Sequence, residues 1–557
     1  VGRAVKTHLR KLNPVMKDTK TCIKGLLRML KDVGWMVLVS ILTGAVRIAA
    51  SLAFVASSKV LMDIATGISD EPLGKWMAIL IGILVLQVLS GIFFNWWESY
   101  ITTITQNKLR EKTFAHVMRS RWEGRERFLS GDTVNRLEED IRVVADILCY
   151  RAPGIVITLL QLVAASIYLT SLASNLIWIL LGLMVAMIIS ARLFYPQLRR
   201  LTASIRSSES DLQQVMQESL QNRVLVLTMT GAERVLGKFT GIQQKIVDDT
   251  VKRLNYNAVA RGLMNFGFQA GYAAAFIWGI LGIQAGTITY GMMTAFLQLV
   301  IQVQRPVAEI SRQIPAFIHA MTSVERLLEL EDLPEEASGE KIALSGAPEI
   351  RIESVTYGYP GQKRPVLRDF SHIFPSGSLT VIAGPTGIGK STLIRLVLGL
   401  LKPSEGTVSI DGHPAGLNLI DNFQYIPQGN SLVSGTIREN LLMADPGASE
   451  QKMEEALETA AAGFVMDLPE GLDTVCGEVG SGLSEGQAQR IAIARGVLRD
   501  GGILVLDEAT SALDIETERL LLENLSRKFQ GRRTILFISH REAVARYADD
   551  TVTLGTD

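Results

Sequence analysis

Six apolar stretches follow one another through the first part of this chain, roughly residues 33–64, 76–97, 145–172, 176–193, 258–284 and 290–318. Each is near the ~20 residues that a helix needs to cross about 30 Å of hydrocarbon. One such stretch alone reads equally well as a buried core helix. Six in succession do not, and they point to a bundle of six membrane-spanning helices. The hydrophobic share of 48% is high for a soluble enzyme, and the excess is confined to this region.

Basic residues set an expected orientation. The segment before the first span, from Arg3 to Lys31, is rich in Lys and Arg, as are the long connections around 108–142 and 199–253. The connections 65–75, 173–175 and 285–289 are short and carry few charges. By the positive-inside rule the basic connections face the cytoplasm, and so do both ends of the six-span region. Residues 21–31 alternate apolar and basic positions at helical spacing, which predicts a helix lying on the inner membrane surface. The long connections keep the helical period, so spans two to five are expected to run on as cytoplasmic rods. No charged n-region with a short apolar core opens the chain, so no signal peptide is expected. Net charge is zero, which gives no electrostatic case for nucleic acid. Cys22, Cys149 and Cys476 are far apart and fit reduced or membrane-buried thiols rather than a disulfide framework.

A different constraint lies further along. Residues Gly384 to Thr392 read GPTGIGKST and fit the phosphate-loop pattern G-x-x-x-x-G-K-[ST]. The apolar run 379–383 before it reads as a buried strand, and 393–398 after it reads as a helix. Glycines let successive N–H groups turn inward on an anion, and the helix N-terminus adds partial positive charge. In this pattern Gly384, Pro385, Thr386, Gly387, Ile388, Gly389 and Thr392 cradle phosphates. Lys390 reaches the β- and γ-phosphates, and the Ser391 hydroxyl sits on Mg²⁺. Residues 502–508 form a second apolar strand ending in two carboxylates. Asp507 is placed to hold Mg²⁺, and Glu508 to act as general base on the attacking water. The polar stretch 333–339 marks the boundary between the two regions. The expected parts are an N-terminal segment 1–32, a membrane domain 33–332, a linker 333–347 and an α/β phosphate-loop NTPase domain 348–557.

Taken in order, these motifs resemble an ATP-binding cassette (ABC) transporter of the exporter type, over nearly the whole chain. The resemblance implies several further roles. Tyr359 matches the aromatic that stacks on adenine, with Tyr357 as the nearby alternative. Gln428 matches the glutamine that touches Mg²⁺ and senses the membrane domain. Leu483-Ser484-Glu485-Gly486-Gln487 matches the signature loop, Asp514 the loop linking the two ATP sites, and His540 the histidine that contacts the γ-phosphate. Ser484, Gly486 and Gln487 open a helix and so offer a second anion site. The family pattern usually has glycine where Glu485 stands; its mild reading is an exposed carboxylate at a helix start, its alternative slower turnover. The resemblance also implies a half-transporter that pairs with itself or with a related half-transporter, each ATP lying between the phosphate loop of one copy and the signature of the other. Short transverse helices are implied near 121–128 and 225–233. The implied cofactors are ATP and Mg²⁺, with catalysis by Glu508, Lys390 and His540 in a plasma (bacterial inner) membrane protein.

Cargo is constrained by the polar residues inside the spans, which are costly there. Arg47 lies about 20 Å along the first helix by its rise per residue. Gln298, Gln302, Arg305 and Glu309 mark the last span, and Glu98 ends the second. Arg47 and Arg305 suit an anionic headgroup. Against that stands the reading of Arg305, Glu309 and Glu98 as solvated or structural pairs in cytoplasmic extensions. The expected activity is ATP-driven export or flipping of an amphipathic substrate (a lipid, lipid-linked molecule or drug) by alternating access. An ATP-gated channel and an exporter-fold importer are the alternatives.

Overall fold

The computed structural model describes residues 19–120, 130–172, 176–335, 340–359, 364–429, 431–477, 482–539 and 541–555. These fall into two compact units, one within Val1–Phe114 and Asp132–Glu331, the other within Ala115–Gly131 and Asp332–Asp557.

Among its described residues the first unit is built of helices and short connections. In chain order its helices are α1 (Thr19–Lys31), α2 (Gly34–Ala65), α3 (Leu73–Arg119), α4 (Asp132–Leu172), α5 (Leu176–Gln221), α6 (Arg223–Thr228), α7 (Ala232–Gln284) and α8 (Tyr290–Glu331). Among the described residues α2, α3, α4 and α7 are long and apolar enough to cross a membrane. The other two expected stretches, 176–193 and 290–318, lie inside α5 and α8. Several helices far outrun the apolar stretches: α3 has 47 residues and α7 has 53. Continued helical spacing of polar residues beyond the apolar run is the reason.

Small residues let the helices approach. A Cβ on Gly279 of α7 would stand 2.7 Å from the Phe296 ring of α8, and Phe296 meets Trp278 edge to face at 5.4 Å. Val55, Ala165, Leu169, Ala275, Leu299 and Val303 complete that buried cluster. On α1, Cys22, Leu26 and Met29 are buried with Val324, Leu327 and Leu328 of α8, while Ile23 and Leu27 stay exposed. The three cysteines are free and buried. The segment α4 carries π-helical turns at Arg136–Asp140 and Ile147–Arg151. Near the first of them Arg326 of α8 bonds both Asp132 and Asp140, and Arg136 bonds Asp132 and Glu329.

The ends of α2 and α8 share a polar tie. Buried Asp63 accepts a hydrogen bond from the Gly291 N–H at 3.2 Å, and Lys59 lies 3.8 Å from its carboxylate. A side chain at 291 would run into the Lys59 carbonyl and the Asp63 carboxylate. Gly291→Ala is therefore expected to cost about 1–3 kcal/mol by overpacking. A thermal melt of the detergent-solubilised protein, read against wild type, checks this.

Where a transverse helix is expected at 225–233, the chain forms the short helix α6, which begins two residues earlier and ends sooner. Thr230 takes a φ of 49°, and its N–H bonds back to Leu227, so the helix ends there. Glu233 belongs to α7. The other, at 121–128, lies outside the described residues.

The second unit carries two larger sheets. Strands β1 (Ile350–Tyr357), β2 (Leu367–Phe374), β4 (Glu405–Ile410) and β5 (His413–Pro414) form an antiparallel sheet in the order β2-β1-β4-β5. Strands β3 (Leu379–Ala383), β6 (Phe423–Ile426), β9 (Ile503–Asp507), β10 (Thr534–Ile538) and β11 (Asp550–Thr553) form a parallel sheet in the order β11-β3-β10-β9-β6. A two-residue pair, β7 (Gly435–Thr436) with β8 (Val475–Cys476), stands apart. Every residue of β9 and β10 is buried, as a central parallel strand requires. Helices α9 (Lys390–Val397), α10 (Ile437–Leu442), α11 (Glu450–Thr459), α12 (Glu485–Leu498) and α13 (Ile515–Phe529) complete the unit. Ile350, Ile352, Phe374, Ile382, Leu393 and Leu536 fill the layer between the sheets, and a second cluster packs α10–α13 on the parallel sheet. All five parallel strands point their C-terminal ends to one edge, where open α/β sheets bind ligands.

Candidate functional site

At that edge β3 runs into the loop 384–389 and then into α9. The loop closes only because glycines take left-handed backbone: Gly384, Gly387 and Gly389 have φ of 148°, 84° and 115°. At Gly389 a Cβ would also stand 2.8 Å from the Val366 methyl. Pro385, Thr386 and Ile388 complete the loop, and the Ile388 N–H bonds the Pro385 carbonyl at 3.4 Å. Lys390 is 5% exposed. Its ammonium donates to the carbonyls of Gly384 (2.9 Å) and Pro385 (3.1 Å) and lies 3.9 Å from Glu508 Oε1.

Asp507 closes β9 and is 3% exposed. Its Oδ1 accepts from the Ser391 hydroxyl at 3.4 Å, and its Oδ2 from the Tyr425 hydroxyl at 3.2 Å. Burial pushes the Asp507 carboxyl up, while those two hydrogen bonds pull it down. Burial, then the charge of Asp507, pushes the Tyr425 phenol up, so it remains a donor. Glu508 follows with a φ of 49°, a left-handed conformation that a non-glycine residue adopts only when its surroundings impose it. Its N–H bonds the Ile538 carbonyl at 3.2 Å, and its Oε2 accepts from the Gln428 amide at 2.8 Å. So the structure brings Lys390, Ser391, Gln428, Asp507 and Glu508 into one cluster. His540 lies outside the described residues.

The oxygens here suit a hard cation. Ser391 supplies a hydroxyl, Asp507 a carboxylate and Gln428 an amide within that cluster. No group of three His, Cys, Asp or Glu occurs among the described residues. A magnesium site built from one carboxylate, one hydroxyl and substrate phosphates matches this donor set.

Tyr359 is half-buried, and its hydroxyl is 3.2 Å from Thr392 Oγ1 and accepts from Arg395 at 3.1 Å. Tyr357 is buried in the core and meets Tyr359 edge to face at 5.3 Å. Tyr425 and Arg395 were not singled out by sequence reasoning. Their only signal is a phenol and a guanidinium beside the phosphate loop, legible once the strand pairing is known.

A second cluster forms at the start of α12. Ser484 caps the helix: its hydroxyl accepts from the Gln487 N–H at 3.2 Å, and the Gln487 side chain accepts from the Ser484 N–H at 2.9 Å. Gly486 must be glycine-small, since a Cβ would stand 2.9 Å from the Ala512 carbonyl. Asp514 caps α13 through the Thr517 N–H at 2.9 Å, and these backbone and side-chain bonds pull its carboxyl below the usual range. Ser484, Glu485, Gly486, Arg490, Asp514 and Thr517 line one pocket of about 470 Å³. Glu485 is exposed.

In the helical unit, Arg47 of α2 and Arg305 of α8 line a single cavity of about 740 Å³ together with Ser51, Gln87, Thr158, Gln161 and Glu309. Arg47 also lies 4.9 Å over the Phe94 ring. Gln302 bonds Ser51 at 3.0 Å behind this wall, and Gln298 is half-buried and not among the lining residues. Glu98 is buried on α3. Gln87, Thr158 and Gln161 went unremarked in the sequence, because an apolar span does not reveal which face turns inward.

The ABC transporter transmembrane region matches residues 34–307, and the ABC transporter domain matches residues 367–511. An "ATP-dependent lipid A-core flippase" of Photorhabdus laumondii subsp. laumondii is 28% identical over 510 residues, 89% of this chain and 87% of that one. An "ABC multidrug transporter mdr2" of Aspergillus fumigatus is 33% identical over 368 residues, 65% of this chain and 46% of that longer protein. In fold, a bacterial Atm1-family ABC exporter with ATP bound superimposes with a TM-score of 0.77 at 24% identity, covering 94% of each chain. The chain thus belongs to the ABC transporter family: a membrane protein of exporter type whose C-terminal domain binds ATP to drive translocation.

Proposed function

We propose that this chain is a half-transporter that works as a homodimer and exports or flips an amphipathic substrate by alternating access. The observation that carries the proposal is the cavity holding Arg47 and Arg305. Arg47 stands 12 residues beyond Trp35, whose ring belongs to an aromatic cluster with Phe93, Trp96, Trp97 and Tyr100. Such clusters mark membrane interfaces, and 12 residues of helix rise about 18 Å. Two guanidinium groups at that depth are costly without a ligand or function.

In this reading Lys390 and the loop amides hold the ATP phosphates, and the Tyr359 ring lies against adenine. Ser391, Asp507 and Gln428 hold Mg²⁺, which when bound would neutralise charge developing on the transferred phosphoryl group. Glu508 takes the proton of the attacking water, with Gln428 steadying its carboxylate, and His540 contacts the γ-phosphate. Ser484, Gly486, Gln487 and Asp514 serve the ATP of the second copy. Exposed Val224, Leu225, Leu227 and Met229 at the α6 tip support such a partner, since so apolar a tip calls for cover. ATP contacts made only in the closed pair supply the differential affinity that shifts the membrane cavity. Residues 333–347 join the two domains, both termini lie in the cytoplasm, and the membrane is a bacterial inner membrane.

The test uses the full chain in sealed proteoliposomes with ATP outside. Uphill, ATP-dependent accumulation of a labelled amphiphile inside supports export. Dissipation of a preset gradient means a channel, and net outward movement means an importer. Exclusively monomeric protein under turnover conditions overturns the dimer.

A further inference from the structure

Asp507 stands at the end of β9 with its two oxygens bound to different partners. Strand β6 pairs with β9 in parallel, with Tyr425 opposite Val505. Side chains alternate along a strand, so Val505 and Asp507 share a face and Tyr425 lies beside that face one register back. The phenol therefore reaches along the sheet to Asp507 Oδ2 at 3.2 Å, leaving Oδ1 turned to Ser391 at 3.4 Å. The ring itself packs on the core between the sheets, so its position is set by the fold and not by the carboxylate. Thr392 and Arg395 of α9 form a neighbouring hydrogen-bonded set with Tyr359, which follows β1.

We propose that the Tyr425 hydroxyl is a positioning group for the magnesium carboxylate: by holding Oδ2 it aims Oδ1 at the ion shared with Ser391 and the nucleotide. The inference rests on the assignment of Asp507 to Mg²⁺. Outer partners that orient a ligating carboxylate are worth about 10–100-fold in metal affinity. The Tyr425 hydroxyl bonds Asp507, so its effect is expected on the metal and not on metal-free nucleotide.

The experiment titrates a fluorescent ATP analogue onto the full chain in lipid nanodiscs, first in EDTA and then across a Mg²⁺ series. For Tyr425→Phe we expect metal-free affinity to stay within about twofold and the half-saturating Mg²⁺ concentration to rise about tenfold. Replacing position 425 by 4-aminophenylalanine, which keeps a donor, restores the Mg²⁺ response, whereas 4-methylphenylalanine, of similar size without a donor, does not. This pair carries the same test if the Phe variant folds poorly. An unchanged Mg²⁺ requirement, or an equal loss in EDTA, overturns the inference. Asp507→Asn separates the two layers. If it leaves the Mg²⁺ response intact, the magnesium assignment itself is wrong. If it abolishes the response while Tyr425→Phe does not, only the role of the phenol falls.

Discussion

Glu508→Gln should lower steady-state ATP turnover by about 10²–10⁴-fold, the span usual for loss of a general base. The amide cannot accept the proton of an attacking water, yet its oxygen can still accept the hydrogen bond that Gln428 now gives Glu508 at 2.8 Å. The Lys390 ammonium keeps its two carbonyl partners, Gly384 and Pro385. ATP binding should therefore persist while hydrolysis stops. Phosphate release by the purified full chain, set beside ATP-analogue binding, checks both halves. Turnover within a few-fold of wild type would mean that another group activates the water.

The second large effect is expected in the membrane cavity. Hydrogen bonds to charged groups contribute about 1.5–3 kcal/mol each. Replacing both Arg47 and Arg305 by Ala should then weaken the apparent affinity for an anionic amphiphile by about a hundredfold or more, since each 1.4 kcal/mol is tenfold. A neutral amphiphile of equal chain length should lose far less, because its contacts are to the apolar lining residues Ile48, Val88 and Ile157. Cargo-dependent stimulation of ATP hydrolysis, measured with the two amphiphiles in parallel, reads the difference. Equal losses for both would show that the arginines hold the helices together rather than select the cargo. Arg305 and Glu309 lie on the cavity wall beside Arg47. That placement favours the cargo reading of Arg305 over a pair solvated in a cytoplasmic extension.

Much of this molecule was legible in the sequence where one physical requirement dictates residue type. Hydrocarbon demands long apolar runs, so the spans could be marked. Phosphate demands inward-facing amides, so Gly384, Gly387 and Gly389 could be recognised before their positive φ was known. Capping is equally local: Ser484 and Gln487 are three residues apart and satisfy each other. What was hidden depends on distant pairing. The Tyr425 hydroxyl meets a carboxylate 82 residues away, and nothing within β6 announces it. Gln87 comes from α3, and Thr158 and Gln161 from α4, and mostly apolar spans leave the inward face undetermined. The long extensions of α3 and α7 agree with the rods expected from continued helical spacing. The shift of α6 is decided by the left-handed backbone at Thr230, which no residue pattern announces.

The backbone at Glu508 has an evolutionary corollary. Its φ of 49° costs an L-amino acid on the order of 1–2 kcal/mol, and glycine escapes that penalty. Folding therefore offers this carboxylate no shelter from mutation, and drift to Gly leaves the domain intact while silencing it. Lineages that stop needing the reaction are therefore expected to shed the acid early.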